Sequence, residues 1–485
     1  MSEMRYELFV GGEWHDALSG ETFEVTNPAT GEMVATLPDG GRADMQRAIE
    51  AACDVQREWG MTTAGERAGV LAEAARVMRG RVGLLARVMT LEQGKPLVQS
   101  EGEVVYAASC LDRFAEEARR ICGETMPADS ADKRIFLLKR PVGITAAVTP
   151  WNFPTSSVVL KVGAAFAAGC TMVVKPSELA PLSALELAKA FEEAGLPKGV
   201  LSVVTGMDPA DLSSAIIEDR RVRKLSFTGS TEVGKILMRG ASDTVKQLSL
   251  ELGGHAPFIV FEDADLEDAV ENVIASKMRN AGQTCVSANR IFVHREIERE
   301  FSRRLVERME EMKVGDGLED GVEVGPLIEP AAVEKVERHV EDARAKGATL
   351  MLGGKRINRS GNFYEPTVLL GADDSMLVAH EETFGPVAAL LPFDDEEEVI
   401  ARANDTNYGL AAYYFTRDVG RVWRLAEELE YGILGANDGM PATDQTPSGG
   451  LKESGFGREG GRYGVEEYLD IKCVSLGGVS RRAGE

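Results

Sequence analysis

The chain has 485 residues, of which 54 are basic and 78 acidic, so its formal net charge is −24. This length predicts two or three domains. A content of 44% hydrophobic and 27% charged residues is typical of globular proteins rather than disordered, fibrous or membrane ones. The acidic excess argues against nucleic-acid or membrane partners, because both are polyanions, but a local cationic pocket could still bind a small anion.

The cysteines and histidines argue against disulfide and metal chemistry. The six cysteines stand at 53, 110, 122, 170, 285 and 473 without a C-x-x-C pair, and the five histidines are not spaced as ligand pairs. This excludes a disulfide scaffold and a zinc finger, indicates a reducing compartment and predicts no metal site. The N-terminus lacks the apolar core of a secretory signal, and the longest apolar stretch, Val162 to Val174, is too short to span a membrane. We therefore expect a cytoplasmic protein.

In chain order, short strand-like pieces come first and are followed by helical patterns over 42–59, 64–90 and 97–120. From 143 to 253, the short apolar runs ITAAVT, TMVVKP, LSVVTG and KLSFTG alternate with amphipathic stretches. Such alternation is typical of buried parallel strands joined by helices.

A second alternating region covers about 254–450, with the strand-like runs APFIVF, RIFVHR, FYEPTVLL, VAALLPF and AAYYFT. Near the end, IKCVSLG is a further strand-like run, separated from the rest by a glycine-rich segment. The pattern predicts an α/β protein with two parallel-sheet domains and an extended arm.

Cys285, in KMRNAGQTCVSANR, is the candidate nucleophile. Gly282 and Gln283 place it in a turn, whereas the other five cysteines are interpreted as structural. The thiolate is the reactive form, and a position at a helix start or near cations would lower the thiol pKa from about 8.5. The alternative is that Cys285 is also structural.

Asn152 and Glu251 are candidate partners of this nucleophile. Asn152 lies in the turn TPWNFP, where prolines restrict the backbone, and its amide could donate to a developing oxyanion. Glu251 ends the apolar run SLEL before two glycines, where partial desolvation would suit a general base. The alternatives are an ordinary turn asparagine and an ordinary loop carboxylate.

Two further strand ends suggest a dinucleotide site. In KLSFTGSTEVGKIL, Gly229 and Gly234 would let a helix N-terminus approach an anion, although the G-x-G-x-x-G fingerprint is absent and a tight strand-to-helix turn is the alternative. In TMVVKPSE, Lys175 and Glu178 could bind the two hydroxyls of an adenosine ribose. Glu178 would repel a 2′-phosphate, which favours NAD over NADP.

The order of these motifs is more specific than any one of them. PWNFP, KPSE, FTGSTEVG, ELGG, GQTC, EETFGPV and GGLKESGFGRE follow one another in the chain. They resemble the aldehyde dehydrogenase superfamily over nearly the whole chain, and KVGAAFAAGC, KMRNAGQTCVSANR and GREGGRYGVEEYLDIK are most similar to NAD(P)-dependent succinate-semialdehyde dehydrogenases. The resemblance implies an NAD-binding domain (1–122 and 142–253), a catalytic domain (254–453) and an oligomerisation arm (123–141 and 469–485).

The resemblance also implies a mechanism. Cys285 attacks the aldehyde carbon, while the Asn152 amide and the backbone N–H of Cys285 hold the oxyanion of the thiohemiacetal. Hydride passes to the nicotinamide and leaves a thioester, which water activated by Glu251 hydrolyses to a carboxylic acid. Glu459 matches a proton-relay position, although a structural ion pair is an equal alternative.

Within the family pattern, Glu382 and Phe384 of EETFGPV match positions that bind the nicotinamide ribose and ring. The residues expected to bind the cofactor are Thr149, Trp151, Lys175, Ser177, Glu178, Gly229, Ser230, Gly234, Leu252, Glu382 and Phe384.

The substrate positions depart from the semialdehyde relatives, which hold a remote carboxylate with two arginines and a serine. Arg279 matches one arginine, but Leu160 stands at the other and Ala442 at the serine. Ser448 stands where a phenylalanine is usual in the wall of the substrate tunnel, which opens volume and adds a hydroxyl. The equal alternative is variation at the tunnel wall without a functional role. The residues expected around the substrate are Phe153, Leu160, Arg279, Ala442 and Ser448.

The leading hypothesis is NAD-dependent oxidation of a small aldehyde with an anionic tail, such as a succinate or glutarate semialdehyde or a sulfonated or hydroxylated aldehyde. A CoA-acylating enzyme is a second hypothesis, against which Glu251 argues because such enzymes need no base for water. A silent NAD-binding protein is a third, which the joint presence of nucleophile, amide and base disfavours. The resemblance implies a dimer or a dimer of dimers, a homotetramer.

Overall fold

The apolar runs and amphipathic stretches form the strands and helices of a computed structural model that describes residues 4–479. Residues 480–485 of the predicted arm lie outside the described residues. The helices are α1 Arg42–Met61, α2 Ala64–Gly80, α3 Val82–Gln93, α4 Leu97–Ala118, α5 Ser156–Ala168, α6 Leu182–Glu193, α7 Pro209–Glu218, α8 Thr231–Ala241, α9 Leu266–Lys277, α10 Glu298–Glu310, α11 Pro330–Ala345, α12 Leu377–His380, α13 Glu396–Asn404, α14 Val419–Glu428 and α15 Gly461–Glu466.

The strands, again in chain order, are β1 Met4–Arg5, β2 Leu8–Val10, β3 Glu13–His15, β4 Thr22–Thr26, β5 Met33–Pro38, β6 Glu124–Met126, β7 Arg134–Pro141, β8 Ile144–Val148, β9 Thr171–Lys175, β10 Leu201–Val203, β11 Val222–Thr228, β12 Gln247–Glu251, β13 Ala256–Val260, β14 Ala288–His294, β15 Thr349–Leu352, β16 Thr367–Leu370, β17 Val387–Phe393, β18 Tyr408–Gly409, β19 Ala411–Phe415, β20 Ile433–Ala436, β21 Leu451–Lys452, β22 Gly455–Phe456 and β23 Leu469–Leu476.

The first large sheet contains eight strands in the order β22-β12-β11-β8-β9-β10-β2-β3. Its middle strands, β12, β11, β8, β9 and β10, are parallel, and they include the four apolar runs predicted between 143 and 253. The strands β2, β3 and β22 pair antiparallel at its two edges. Since β8 and β9 are buried along their whole length, their sequences show continuous apolar runs instead of alternation.

The second large sheet contains seven strands in the order β15-β16-β17-β14-β13-β19-β20. All neighbours in it are parallel except β15 and β16. The five runs predicted as strands in this region are present. The run FYEPTVLL forms a strand only from Thr367, because Pro366 has no N–H to donate to a neighbouring strand.

One helix prediction is wrong in detail. The pattern over 64–90 is two helices, α2 and α3, separated at Arg81. The backbone of Arg81 (φ −119°, ψ 15°) leaves the helical region, and Gly80 and Gly83 on either side are weak helix formers. The chain therefore turns at this point and packs α2 rather than α3 most extensively against α4.

A small antiparallel sheet, β23-β7-β6, forms the predicted arm. In it, β23 pairs with β7 from Leu469 opposite Pro141 to Leu476 opposite Arg134. Ile471, Val474 and Leu476 of β23 are exposed. The arm therefore presents apolar side chains on an extended ribbon.

The predicted fold class, with two parallel-sheet α/β units, is confirmed. Each large sheet has its own apolar core. Because only the short segment 252–255 joins β12 to β13, the carboxyl edge of the first sheet faces the amino edge of the second. None of the helices within residues 4–479 is both long and apolar enough to cross a membrane.

Candidate active site

A cleft of about 440 Å³ lies where the two sheets face each other. Its walls come from the segments that follow β8, β11 and β12 and from those that precede β14 and β17. We call it the Cys285 cleft. The predicted site residues that line it are Trp151, Asn152, Gly229, Ser230, Leu252, Cys285, Glu382 and Phe384.

The α11 side of this cleft was not predicted from the sequence. Glu329, Ala332 and Lys335 line it from the beginning of α11. Pro330 at the first turn signals the start of that helix. Nothing in the sequence, however, indicates that this helix end packs against the segment that carries Cys285.

The segment before Cys285 has an unusual backbone. Asn280 (φ 52°) and Ala281 (φ 55°) adopt the left-handed conformation that side chains other than glycine rarely take. Hydrogen bonds hold Asn280 there, because its N–H donates to Gln99 Oε1 at 2.8 Å and its Oδ1 accepts from Gln93 Nε2 at 2.9 Å. Such over-determined strain is common at functional sites and fixes Cys285 just before β14.

The thiol of Cys285 is not activated in the way the sequence analysis predicted. Burial and the carboxylates of Glu251 and Glu382 raise its pKa to about 12, and Arg279 opposes them only in part. Cys285 lies in a turn at the amino end of β14 rather than at a helix start, so no helix dipole offsets the burial. The thiol therefore carries its proton at neutral pH, and a base must remove that proton during attack.

Asn152 is buried, and its side chain points towards the segment that carries Cys285. Its Nδ2 donates to the carbonyl of Gln283 at 3.1 Å. Its own carbonyl accepts from Lys95 Nζ at 2.9 Å and from Asn280 Nδ2 at 3.1 Å. The second hydrogen on Nδ2 has no partner among the described residues, so it can donate to an oxyanion beside Cys285.

Glu251 is the last residue of β12 and is buried behind the wall of the cleft. Its Oε1 has no hydrogen-bond partner within the described chain. Burial, together with the negative charge of Glu459, raises its pKa to about 8. A carboxylate with this pKa exists partly in its basic form at neutral pH, as a general base requires.

Glu459 makes the ion pair that was one of its two predicted roles. Its Oε1 lies 2.6 Å from Lys161 Nζ, and both side chains are buried. Lys161 Nζ also donates to Thr228 Oγ1 at 2.6 Å. Lys161 therefore links Glu459 to Thr228 at the end of β11.

The predicted ribose-binding pair lies at the end of β9. Lys175 Nζ and Glu178 Oε2 form an ion pair at 2.6 Å, with Lys175 buried and Glu178 partly exposed. Thr149, after β8, donates its backbone N–H to the carbonyl of Lys175, and Ser177 follows it on the same edge. These residues lie outside the Cys285 cleft proper, at the neighbouring strand ends.

Gly229 and Gly234 have a packing reason for lacking a side chain. A Cβ on Gly229 would collide with the ring of Phe227, and one on Gly234 would collide with Leu252. Ser230 caps α8 by accepting from the N–H of Val233 at 3.3 Å. The two glycines thus let α8 pack closely on β11 and β12, with Gly229 and Ser230 in the cleft wall.

Glu382 and Phe384, which precede β17 of the second sheet, line the cleft. Glu382 Oε1 accepts from the N–H of Gly254 at 3.3 Å, and burial raises its pKa to about 7. Phe384 has a left-handed backbone (φ 54°), and its ring meets Trp151 edge-on at 5.6 Å. The two aromatic side chains therefore form one wall of the cleft.

Arg279 is a cation without an anion. Its guanidinium has no hydrogen bond or ion pair among the described residues, and its Nε is buried. It lies over the ring of Phe153 at 5.1 Å. It also lines a small void of about 20 Å³ with Tyr413 and Ala442. Because a buried unpaired charge is costly, this arrangement suits an anionic ligand.

Leu160, Ala442 and Ser448 line a separate cavity of about 270 Å³. We call it the Leu160 cavity. Tyr106 of α4 and the loop that contains Thr446 complete its wall. It shares Ala442 with the void at Arg279, so the five residues expected around the substrate occupy one region of the molecule.

The comparison with known proteins agrees with this geometry. The model of the "Aldehyde dehydrogenase family" matches residues 14–474. The chain therefore belongs to the aldehyde dehydrogenase family, as the order of its motifs predicted.

Among its relatives, the NADP(+) succinate-semialdehyde dehydrogenase GabD of Escherichia coli is 50% identical, covering 98% of each chain. The 3-sulfolactaldehyde dehydrogenase of Pseudomonas putida is 51% identical, covering 99% of each. The crystal structure of succinate-semialdehyde dehydrogenase from Burkholderia pseudomallei matches with a TM-score of 0.97 and 53% identity, covering 98% of each chain.

Proposed function

We propose that the protein oxidises a small aldehyde with an anionic tail to the carboxylic acid. Arg279 carries this proposal, because its guanidinium is close enough to act on Cys285 electrostatically and has no ion-pair partner among the described residues. The relatives named for succinate semialdehyde and 3-sulfolactaldehyde support it, since both compounds carry an anion. Other semialdehydes and sulfonated or hydroxylated aldehydes share this chemistry.

Each chemical step has a residue. Glu251 takes the proton of the Cys285 thiol as Sγ bonds to the aldehyde carbon, and Asn152 Nδ2 and the Cys285 N–H donate to the resulting oxyanion. Glu251 then releases that proton to solvent. A nicotinamide held in the Cys285 cleft would supply the hydride acceptor, and loss of hydride from this adduct would leave a thioester on Cys285. Glu251 then takes a proton from water, whose oxygen replaces the sulfur at the acyl carbon.

The cofactor fits the residues at hand. Trp151, Leu252, Glu382 and Phe384 would enclose the nicotinamide end within the Cys285 cleft. The Lys175–Glu178 pair would bind the adenosine ribose. We propose a preference for NAD, because the Glu178 carboxylate would repel a 2′-phosphate. The Escherichia coli relative is named for NADP(+), so this preference would distinguish the two enzymes.

The anionic tail is tested with succinate semialdehyde and with butanal, a neutral aldehyde of the same length. Arg279→Ala removes charge-assisted hydrogen bonds, so KM for succinate semialdehyde should rise about 10- to 100-fold. Butanal should change by less than about threefold, and Arg279→Lys should lie between. An equal effect on both aldehydes would contradict the anionic tail.

Cofactor choice is tested by replacing Glu178. Glu178→Ser removes the repulsive carboxylate, so the ratio of kcat/KM for NAD to that for NADP should fall at least about tenfold. Glu192→Ser, an exposed glutamate on α6 outside the site, serves as the control. A wild-type preference for NADP would contradict the proposal.

The acceptor and the assembly are separate parts of the proposal. Water rather than CoA resolves the thioester, so the free acid should form at the same rate with and without CoA.

The arm extends a neighbour's sheet in a dimer or a dimer of dimers in the cytoplasm. The exposed Ile471, Val474 and Leu476 support this assembly. Ile471→Asp should reduce the mass measured by light scattering, and an unchanged mass would contradict it.

A further inference from the structure

The Leu160 cavity contains one hydroxyl that the protein does not use. The side chain of Ser448 is half-buried in the cavity wall, and its Oγ has no hydrogen-bond partner within residues 4–479. Its backbone is held rigidly, because its N–H and C=O bond Glu459 at 2.8 and 2.7 Å. The hydroxyl therefore has a fixed origin and a free donor and acceptor.

The other hydroxyls around this cavity are already engaged. Thr446 Oγ1 donates to the carbonyl of Thr443 at 3.2 Å and accepts from its N–H at 3.0 Å. Thr443 Oγ1 donates to Thr446 Oγ1 and accepts from the N–H of Gln445. Tyr106 interacts with Cys110 on the same helix. Ser448 is thus the available polar group in a wall that is otherwise apolar at Leu160 and Ala442.

The cavity adjoins the anion-binding end of the site rather than the reacting sulfur. Ile433, Pro441 and Ala442 line both this cavity and the void at Arg279. Cys285 lines the Cys285 cleft and is not among the residues that line the Leu160 cavity. A substituent beside the anion of a bound substrate would therefore point towards Ser448, whereas one beside the aldehyde would not.

The volume supports a substituted tail. The volume of the Leu160 cavity, about 270 Å³, is many times the roughly 10–15 Å³ that a single water needs. An unbranched four-carbon substrate whose anionic group binds Arg279 would leave the Leu160 cavity filled with water. A hydroxyl on the carbon next to the anion would enter it and bond Ser448.

We infer that Ser448 is a specificity-determining residue for aldehydes that carry a hydroxyl on the carbon next to their anionic group. This inference rests on the proposed function. The substrate class is thus a 2-hydroxy acid with a terminal aldehyde, held by Arg279 at the acid and by Ser448 at the hydroxyl. The oxidation itself is unchanged.

The test compares 4-oxobutanoate, which is succinate semialdehyde, with each enantiomer of 2-hydroxy-4-oxobutanoate, which differs from it by this hydroxyl alone. The readout is the ratio of kcat/KM for one hydroxylated enantiomer to kcat/KM for 4-oxobutanoate. Wild type should show a ratio above one. Ser448→Ala should lower it about tenfold, the size of one or two lost hydrogen bonds. Ser448→Thr, which keeps the hydroxyl, should stay within about threefold.

A matched control is Ser214→Ala, a serine on α7 whose hydroxyl bonds the carbonyl of Ala210 far from the cavity. A ratio that Ser448→Ala leaves unchanged would overturn the inference, while a preserved Arg279→Ala effect would leave the proposed function standing. If wild type oxidises no anionic aldehyde, the proposed function fails and the inference fails with it.

Discussion

The Cys285 cleft and the Leu160 cavity are built from different parts of the fold. The cleft is formed at strand ends, where the carboxyl edge of the first sheet meets the amino edge of the second, and hydrogen bonds hold the side chains of Asn152 and Glu382 in it. The cavity lies between α4, α5 and the irregular loop that contains Ala442 and Ser448. We predicted from the sequence that the residues of the cleft match the family pattern and that Leu160, Ala442 and Ser448 of the cavity depart from it.

This difference in construction indicates that the Cys285 cleft carries out the reaction and that the Leu160 cavity selects the substrate. Groups at strand ends are held by the sheets, so a nucleophile, an amide and a base can keep one geometry in many relatives. A loop and two helix faces can change residues without disturbing the sheets. We therefore expect substitutions in the cleft to act on every aldehyde alike, and substitutions in the cavity to act on the ratio between aldehydes.

The largest expected effect is loss of the nucleophile. Cys285→Ala should lower kcat at least about 10⁴-fold for every aldehyde, because no other group can carry the acyl intermediate. Cys53→Ser, at a half-buried cysteine on α1, should keep wild-type activity. Steady-state NADH formation measures both, and appreciable activity in Cys285→Ala would assign the chemistry to another residue.

Removal of the oxyanion donor comes next. Asn152→Ala should lower kcat about 10²- to 10³-fold while KM changes little, since the amide acts on charge that develops during reaction. The effect should be equal for anionic and neutral aldehydes, because Asn152 belongs to the cleft and acts on the reacting carbonyl rather than on the tail. A change confined to KM would show instead that Asn152 binds the substrate.

A charge added to the Leu160 cavity tests whether this cavity determines which aldehyde is preferred. Leu160→Arg places a second cation near Arg279, so kcat/KM for 4-oxobutanoate should rise about tenfold through a charge-assisted bond. Butanal should change little. The control Leu160→Met keeps the cavity apolar, and an equal gain with both variants would attribute the effect to packing.

The smallest effect is a displaced pH profile. Burial and Glu459 hold the pKa of Glu251 at about 8, and a base acts only when deprotonated, so hydrolysis of the thioester should rise with pH through this value. Glu459→Gln removes the negative charge and should move the rise about one unit lower. Lys161→Met removes the positive charge and should move it higher. Both variants moving in one direction would contradict this electrostatic account.

The strands and the candidate site residues could be predicted because they depend on local sequence. Continuous apolar runs reveal buried parallel strands, and glycine or proline after them marks the turn that carries Asn152 and the strand end at Glu251. The break at Arg81 has a local signal in Gly80 and Gly83, which the predicted helix over 64–90 did not take into account. The contribution of α11 was not predictable from local sequence, because it brings together residues that are distant in the chain.

By itself, the sequence determined the family, the order of the motifs and the residue types available for catalysis, because each is a property of short segments. Only the tertiary structure decided their electrostatics. Burial and facing carboxylates raise the pKa of Cys285, where the sequence had suggested a lowered one, and Arg279 has no anionic partner among the described residues. Charge interactions and desolvation depend on which groups meet across the two sheets, and that is set by the fold.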